Sequence, residues 1–255
     1  MLFINILELV NLMIIKETDL INFVSCPIKY IVYKGNKIKE PDTYNKLLHK
    51  AYDWTIKEYH YNGIDNLDAK IKKHWDKVCI QNQDKIPPKK VLEGWGLLYK
   101  VYTYLRDKNI KILDVNIPYH IEIPSTSYAV EGQIDMISEY GNDIEILIPS
   151  FSNKITESYI IDNNIKHSLD AYAIKQMFNK NTFITYHNFN LDKNKYTTRL
   201  NKDLDRLELI IKNIGQCIEN NLLYPCTGYH CTNCMARALC SEWGKDYKEM
   251  NDEEL

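Results

Sequence analysis

Four cysteines carry the clearest chemical signal in this sequence. Three are clustered near the C-terminus and one lies far upstream; in chain order they are Cys26, Cys231, Cys234 and Cys240. The last three follow a C-x2-C-x5-C spacing. This spacing favours a metal centre over a disulfide, because thiolates three residues apart can bind one zinc ion or one iron–sulfur cluster. We therefore predict a metal centre that ties the two ends of the chain together.

The other three cysteines have simpler interpretations. Cys79 and Cys217 lie in predicted helices and are expected to be buried thiols. Cys226 lies five residues before Cys231, so it is either a substitute ligand or part of the turn that leads into the cysteine segment. The set of four stays the prediction, with Cys226 as the alternative ligand.

The sequence shows no convincing signal for export or for membrane insertion. Its apolar opening, MLFINILELVNLMII, lacks a basic segment and a cleavage site of small residues, and Glu8 interrupts it. This opening is also too short to span a bilayer. We expect the cytoplasm, where thiols more often serve metals or protein cores than disulfides, and we expect no membrane partner.

Length and composition are typical of an ordinary globular protein. The chain has 255 residues, of which 45% are hydrophobic and 26% are charged, so it can form one large domain or two small ones. The net charge of −2 conceals two basic stretches. Lys70–Lys90 contains seven Lys and two Asp, and Lys175–Lys202 contains six Lys or Arg and one Asp. Each stretch is either a face that binds a polyanion or an ordinary solvated surface.

Helical periodicity dominates the first part of the chain, and strand-like alternation begins at about Lys111. A short helix with Thr18 as its cap is expected to end at Pro27 and to place Cys26 at its end. Further helices are predicted over 42–59, 66–80, 91–108, 163–178 and 199–220, and strands over 111–123, 127–140, 143–151 and 182–189.

These elements indicate one α/β domain whose ends are joined by the cysteines. Its predicted parts are a helical part over 18–110, a core over 111–222, the cysteine segment over 223–241 and an acidic tail over 242–255. Residues 1–12 are either an additional strand or an extension ahead of Met13.

The order of these parts resembles the RecB-like branch of the PD-(D/E)XK nuclease superfamily. It is similar above all to the iron–sulfur members, the CRISPR-associated exonucleases and the AddB-type nuclease domain. Four segments spread over about 18–241 carry the resemblance. They are the opening helix DLINFVSCP, the helix segment NKLLHK, the strand VEGQIDMI and the closing segment LYPCTGYHCTNCMARALC, which is the most specific of them.

The resemblance implies a restriction-endonuclease-like mixed sheet flanked by helices. It implies a 4Fe–4S cluster on the four cysteines named above, with zinc on the same thiolates as the alternative. It also implies that His49 and Asp135 belong to a divalent-metal site and that DNA is the substrate or ligand. From their sequence surroundings alone, His49 can equally be a core histidine, and Asp135 can equally cap a turn or pair with a lysine.

The chemistry of this superfamily explains the motif. Phosphodiester cleavage needs Mg²⁺ or Mn²⁺ to hold the scissile phosphate and to activate water. Such hard cations prefer oxygen ligands, hence two carboxylates on adjacent strands. A lysine two residues beyond the second carboxylate lies on the same strand face, where it orients the water and stabilises the developing negative charge.

The match breaks at the segment EILIPSF. Pro149 takes the position of the second carboxylate and Phe151 that of the lysine, and neither side chain can perform the role. The downstream Gln-x-x-x-Tyr pattern is also incomplete, because Ser168 stands four residues before Tyr172. We therefore predict a degenerate catalytic motif.

Two neighbouring residues are candidates to replace the missing groups. Glu145 lies on the strand face of Pro149 but four residues back, which is roughly 13 Å at about 3.3 Å per residue. Lys154 lies beyond the predicted strand and reaches back only if the loop folds over.

These observations lead to three hypotheses. The first is a catalytically inactive nuclease-fold protein that binds DNA or serves as a subunit of a DNA-processing assembly. The second is an active Mg²⁺- or Mn²⁺-dependent DNA exonuclease that uses His49, Asp135, Glu145 and Lys154. The third is a structural protein-interaction subunit that binds no nucleic acid.

We expect the two basic stretches to contact DNA. The second stretch also contains aromatic side chains that can stack on single-stranded bases, namely Tyr186, His187, Phe189 and Tyr196.

Overall fold

The structure is a computed structural model of the chain. It describes residues 12–36 and 41–228, together with 231, 234, 235, 237 and 240. The predictions for the first eleven residues and for the acidic tail over 242–255 lie outside the described residues. Within those ranges, no helix combines the length and the apolar character needed to cross a bilayer.

In the described ranges, helices fill most of the first half of the chain and strands alternate with helices afterwards. The helices are α1 (Glu17–Ser25), α2 (Pro27–Asn36), α3 (Tyr44–Asn62), α4 (Leu67–Gln81), α5 (Pro88–Lys108), α6 (Ser158–Asp162), α7 (Ile165–Phe178) and α8 (Asn201–Glu219). The strands are β1 (Met13–Lys16), β2 (Ile112–Glu122), β3 (Tyr128–Tyr140), β4 (Asp143–Ser150), β5 (Thr182–Asn188) and β6 (Lys193–Thr198).

The ends of the helices follow from local chemistry. Thr43 caps α3, since its hydroxyl accepts a hydrogen bond from the backbone N–H of Lys46 at 3.3 Å. Gly63, at a φ of 71°, ends the same helix in a conformation that glycine adopts without strain. Pro88 begins α5, where a missing backbone N–H costs nothing.

The first helix corrects one prediction. It begins at Glu17 with Lys16 as its N-cap, so Thr18 lies in its first turn and does not cap it. Cys26 follows as the C-cap, and its backbone N–H donates to the carbonyl of Asn22 at 2.9 Å. Pro27 ends α1 as expected, but it also begins α2, which the sequence did not predict.

The strands form a mixed sheet in the hydrogen-bonded order β1-β3-β4-β5-β6, and β2 pairs with β3. β1 runs parallel to β3 and β4 runs parallel to β5, whereas β3–β4 and β5–β6 are antiparallel. The parallel β4–β5 pair needs a crossover connection, which α6 and α7 supply. The predicted mixed α/β architecture is confirmed.

The chain divides into two compact units. Of the described residues, the first contains 12–36, 119–132 and those from 203 onward, and the second contains 41–118 and 133–202. These boundaries differ from the predicted parts because β2 and β3 each pass from one unit into the other. The single-domain interpretation stays a prediction.

Within the first unit, α1 and α8 each form a side-chain hydrogen bond to a strand, and the bond is buried for α1 and partly exposed for α8. Tyr119 of β2 donates its hydroxyl hydrogen to the buried carboxylate of Glu17 at 2.8 Å. Tyr128 of β3 donates likewise to Glu219 of α8 at 2.7 Å. These bonds hold helices that are distant in sequence against neighbouring strands.

The core of the second unit lies around α3, α4 and α5. Trp75 is fully buried, and its indole N–H donates to the carbonyl of Val91 at 2.8 Å. A β-carbon added at Gly94 of α5 would stand 2.3 Å from the Trp75 ring, whereas one added at Gly96 would meet no atom within 4 Å. The close approach of α4 and α5 therefore requires glycine at the first position and not at the second.

Gly94→Ala is expected to destabilise the protein by about 1–3 kcal/mol, because the buried Trp75 cannot yield to the added methyl group. Gly96→Ala is the matched control on the same helix, and it should stabilise by about 0.5–1 kcal/mol through better helix propensity. Denaturant unfolding of both variants measures the two changes. Equal effects of the two substitutions would contradict the packing argument.

Candidate functional site

A cleft opens in the second unit beside the pairing between β3 and β4. The two strands pair over Ser138–Tyr140 and Asp143–Glu145, and residues farther along both strands line the cleft. The cleft has a volume of about 310 Å³. Its polar lining consists of His49, Asp53, Lys57, Asn116, Asp135, Lys166 and His167.

The structure brings His49 and Asp135 together, as the resemblance implied. His49 is contributed by α3 and Asp135 by β3, and both side chains line the cleft and keep contact with solvent. The crowding of His49 by its neighbours lowers its pKa, while the negative charge of Asp135 acts in the opposite direction. His49 is therefore a neutral group near neutral pH, able to donate or accept one hydrogen bond.

Asp53 is a second carboxylate in this cleft, and the sequence analysis missed it. It lies four residues after His49 on α3, so both side chains project from the same helix face. Desolvation and the negative charge of Asp135 raise the pKa of Asp53 to about 6, and Lys57 opposes this shift. The His-x-x-x-Asp spacing on a predicted helix was the signal that could have identified it.

The segment EILIPSF, in which the resemblance implies a carboxylate and a lysine, lies in β4 and ends just after it. Pro149 lines the cleft that contains Asp135. The Phe151 ring packs against cleft and core residues, with centroid distances of 5.1 Å to His49, 6.1 Å to Tyr52 and 5.9 Å to Phe189. The lysine position of the motif is thus occupied by a ring that joins α3 to the core.

The structure does not bring Glu145 into the cleft lining. Its carboxylate is buried and accepts hydrogen bonds from the hydroxyls of Ser138, at 3.0 Å, and of Thr185. The separation of Glu145 from Pro149 along β4 is consistent with this position, and Ile144–Leu147 are buried on both strand faces. Glu145 therefore serves as a hydrogen-bonded core carboxylate.

Lys154 lies in the loop after β4 and lines a neighbouring groove rather than the cleft. That groove measures about 530 Å³ and also contains His49 and Phe151. The loop is held by its backbone, because the side-chain amide of Asn188 donates to the carbonyl of Lys154 at 3.1 Å. The exposed Lys154 side chain is thus on the same side of the molecule as His49 but outside the cleft lining.

Helix α7 supplies a buried histidine that the sequence analysis did not select. His167 lines the cleft, and its Nε2 is hydrogen-bonded to the Tyr186 hydroxyl. In the part of the chain that the structure describes, its Nδ1 has no hydrogen-bond partner. Burial, reinforced by the positive charges of Arg199 and Lys166, lowers the pKa of His167 to about 3.

The neighbours of His167 serve structural roles. Ser168, at the position where the family carries glutamine, accepts a hydrogen bond from Nε of Arg199 at 2.9 Å. Tyr172 is buried. Lys166 donates to the carbonyl of Gln133 at 2.9 Å and forms an ion pair with Asp170 at 3.1 Å. Lys166 thus fastens α7 to β3 at the edge of the cleft.

The cysteines of the predicted metal centre all belong to the first unit. Cys26 is buried, and its Sγ accepts a hydrogen bond from the backbone N–H of Cys226 at 3.4 Å. Backbone bonds then link Cys234 to the Cys231 carbonyl at 3.2 Å and Cys240 to the Arg237 carbonyl at 3.2 Å. The backbone just before the segment that carries the last three cysteines therefore contacts the sulfur of Cys26.

No three His, Cys, Asp or Glu side chains among the described residues converge closely enough to hold a metal ion. The donor set nevertheless suits the implied group in its chemistry, since four thiols in one unit can supply the four ligands of a cluster or of zinc. Cys79 is buried, as predicted, and this burial raises the pKa of its thiol, whereas Cys217 is half-buried.

The two basic stretches differ in how many of their lysines form ion pairs with carboxylates. In the first, Lys70 pairs with Glu58 at 2.7 Å and Lys90 with Glu93 at 2.6 Å, and Lys72 pairs with Asp76. In the second, no carboxylate of the described ranges lies within 4.0 Å of the ammonium groups of Lys175, Lys180, Lys193 and Lys195. Four lysines of the first stretch, Lys73, Lys77, Lys85 and Lys89, likewise have no carboxylate partner among the described residues, so both stretches offer available positive charge.

Comparisons with known proteins identify the fold. No protein-family model matches the chain, and no curated protein matches it. A crystal structure named "Putative exonuclease", from Eubacterium rectale, is similar with a TM-score of 0.54 and 11% sequence identity, covering 86% of each chain. A crystal structure named SSO0001 has a TM-score of 0.38 and 14% identity, covering 85% of this chain and 95% of its own. The first similarity shows that the chain has a nuclease-like fold.

The stability of the protein is expected to fall as the pH decreases from 7 to 5, with His167 as a major cause. The unfolded histidine binds a proton near pH 6.5, whereas the folded one resists protonation until about pH 3, so acid favours the unfolded state. Thermal unfolding at pH 7, 6 and 5 measures the effect. His167→Gln should show a smaller loss than the wild type.

His120→Gln is the matched control, because His120 lies on the exposed surface. It should retain the pH dependence of the wild type. The lowered pKa values of His49, His74 and His187 are expected to preserve part of the dependence in the His167 variant. Identical pH profiles for His167→Gln and wild type would refute this assignment.

Proposed function

We propose that this chain is a nuclease-fold protein that binds DNA without cleaving it, alone or as a subunit of a DNA-processing assembly. The observation that carries the proposal is the end of β4. There Pro149 faces the cleft of Asp135, and Phe151 packs against α3 and Phe189. Neither the second strand carboxylate nor the lysine that would orient water is present at these positions.

The side chain of Phe151 packs against the core of the second unit. The ring contacts two aromatic side chains of the core cluster, Tyr52 and Phe189, and the edge of His49. Aromatic pairs of this kind contribute about 0.5–1.5 kcal/mol beyond their buried area. A lysine at this position would lose that packing. The packing of Phe151 thus stabilises the end of β4 and leaves no ammonium group at this position.

DNA is the ligand that the charges support best. The lysines of the second basic stretch have no carboxylate partners in the described ranges, so their charge is available to phosphates. Each phosphate that such a lysine neutralises releases counterions, and binding then weakens as the salt concentration rises.

Purified protein with Mg²⁺ or Mn²⁺ should leave labelled single- and double-stranded DNA intact while binding it in a salt-dependent manner. Electrophoresis detects cleavage, and fluorescence anisotropy at several salt concentrations measures affinity. Lys193→Glu combined with Lys195→Glu should lower the affinity and flatten the salt dependence. Lys70→Glu combined with Lys90→Glu is the control with paired lysines and should have a smaller effect.

Efficient cleavage that Asp135→Asn abolishes would overturn the inactive assignment. An absence of salt-dependent DNA binding would instead favour a protein-interaction subunit, for which the fold is a scaffold.

A metal-dependent DNA exonuclease is the second candidate, and Asp53 is the observation that favours it. Asp53 and Asp135 line the same cleft, and one or two carboxylates with water and substrate phosphate are a common ligand set for Mg²⁺. In this case Asp53→Asn and Asp135→Asn should both abolish cleavage. Glu145→Gln and Lys154→Ala, which alter residues outside the cleft lining, should not.

We further propose that Cys26, Cys231, Cys234 and Cys240 bind a 4Fe–4S cluster, with zinc as the alternative metal. The contact between the Cys226 backbone and the Cys26 sulfur supports this proposal, because it places the beginning of the cysteine segment next to Cys26, the fourth thiol. The bound group would supply a cross-link between α1 and the C-terminal segment. The proposal places the protein in the cytoplasm, where thiols stay reduced.

Anaerobically purified protein is expected to contain about four iron atoms per chain and to show the broad visible absorbance of an iron–sulfur cluster. Cys26→Ala and Cys234→Ala should each lose both signals. Cys217→Ala, at a half-buried position on α8, is the control and should retain them. If the protein instead contains one zinc ion per chain and shows no visible absorbance, the assigned metal becomes zinc and the assigned ligands stay the same. Unchanged metal content in Cys26→Ala would contradict the assignment.

A further inference from the structure

We propose that three aromatic residues on the sheet of the second unit form a stacking platform for the bases of a single-stranded nucleic acid. These residues are Tyr140, Phe183 and Tyr196, called here the aromatic row. The proposal rests on the DNA-binding function proposed above and specifies the surface and the strand state of the ligand.

The geometry of the aromatic row is that of a short stack. Tyr140 ends β3, Phe183 lies on β5 and Tyr196 lies on β6. The rings of Tyr140 and Phe183 are 4.5 Å apart and nearly parallel, at 3°, and Phe183 and Tyr196 are 5.5 Å apart at 36°. The Tyr196 hydroxyl accepts a hydrogen bond from the side chain of Asn194 at 2.9 Å, which orients this ring.

The two ends of the aromatic row are open to solvent. Tyr140 is 49% exposed and Tyr196 is 58% exposed, whereas Phe183 between them is half-buried. None of the three belongs to the core cluster of this unit, so the core does not require these rings. A base that stacks on an outer tyrosine would extend an existing stack and cover apolar surface that water now contacts.

The aromatic row lies beside the edge strand that carries lysines of the second basic stretch. Phe183 and Tyr196 lie within the basic stretch Lys175–Lys202, whose lysines lack carboxylate partners in the described part of the chain. Lys180 also acts electrostatically on Glu139, the residue next to Tyr140. Lys193 and Lys195 alternate with Tyr196 along β6 and so project from the opposite sheet face, which places their ammonium groups across the edge strand from the ring.

A protein partner suits this surface less well. Strand β6 is at the edge of the sheet, but Lys193 and Lys195 on it oppose the addition of another strand. Three rings also cover far less area than the roughly 1,200 Å² of a stable protein interface. A DNA duplex is disfavoured as well, because its bases are already stacked on each other and offer no free faces.

Anisotropy titrations with a labelled single-stranded 20-nucleotide DNA and with the matching duplex test the proposal. Tyr196→Ala and Tyr140→Ala should each weaken single-strand binding about tenfold and leave duplex binding unchanged. The slope of log affinity against log salt should stay the same, because no phosphate contact is removed. Tyr196→Phe should bind like the wild type, since it keeps the ring.

Tyr61→Ala is the matched control, because Tyr61 is 68% exposed and lies on α3, away from the sheet. It should not change affinity, and circular dichroism should show that all variants are folded. Unchanged single-strand affinity in both tyrosine variants would overturn the platform while the DNA-binding function stands. Equal losses for single strand and duplex would overturn the strand selectivity. Wild-type protein that binds no DNA would overturn both proposals.

Discussion

The packing of Phe151 against α3 is the contact on which the cleft depends. It joins the end of β4 to the helix that carries His49 and Asp53, and Phe189 backs it from the next strand. Helix α3 is thereby held where its polar face meets Asp135. The same ring occupies the position at which the sequence resemblance implies a lysine. The contact between Phe151 and α3 thus helps to position the cleft, and it also means that no lysine side chain stands at this position.

Periodicity predicted most of the fold, and particular residues explain the exceptions. The apolar spacing of α3, α4 and α5 and the alternation of β2 and β3 gave these elements nearly to their ends. The proline at position 27 suggested only a helix end, although proline also suits a first helical turn, so α2 was missed. Strand β6, KNKYTT, is an exposed edge with too few apolar residues to signal a strand.

The candidate site was less predictable because its chemistry depends on burial and on distant neighbours. His49 and Asp135 were identified from motif resemblance, and the structure places both in one cleft. The roles of Asp53 and His167 follow from crowding and from nearby charges, which spacing alone does not reveal. The cleft contains two carboxylates, and the second basic stretch of the same unit contains lysines without carboxylate partners among the described residues.

The division into two units has a consequence for biosynthesis. The first unit is assembled from the N-terminal segment, the 119–132 segment and the segment that begins at residue 203, whereas the second is complete by residue 202. During translation the second unit therefore has all its residues before the first does, because the first also requires α8. The N-terminal segment acquires its strand partners in β2 and β3 earlier, but its unit stays incomplete until α8 is made, and chaperones or early proteolysis would act on it in that interval.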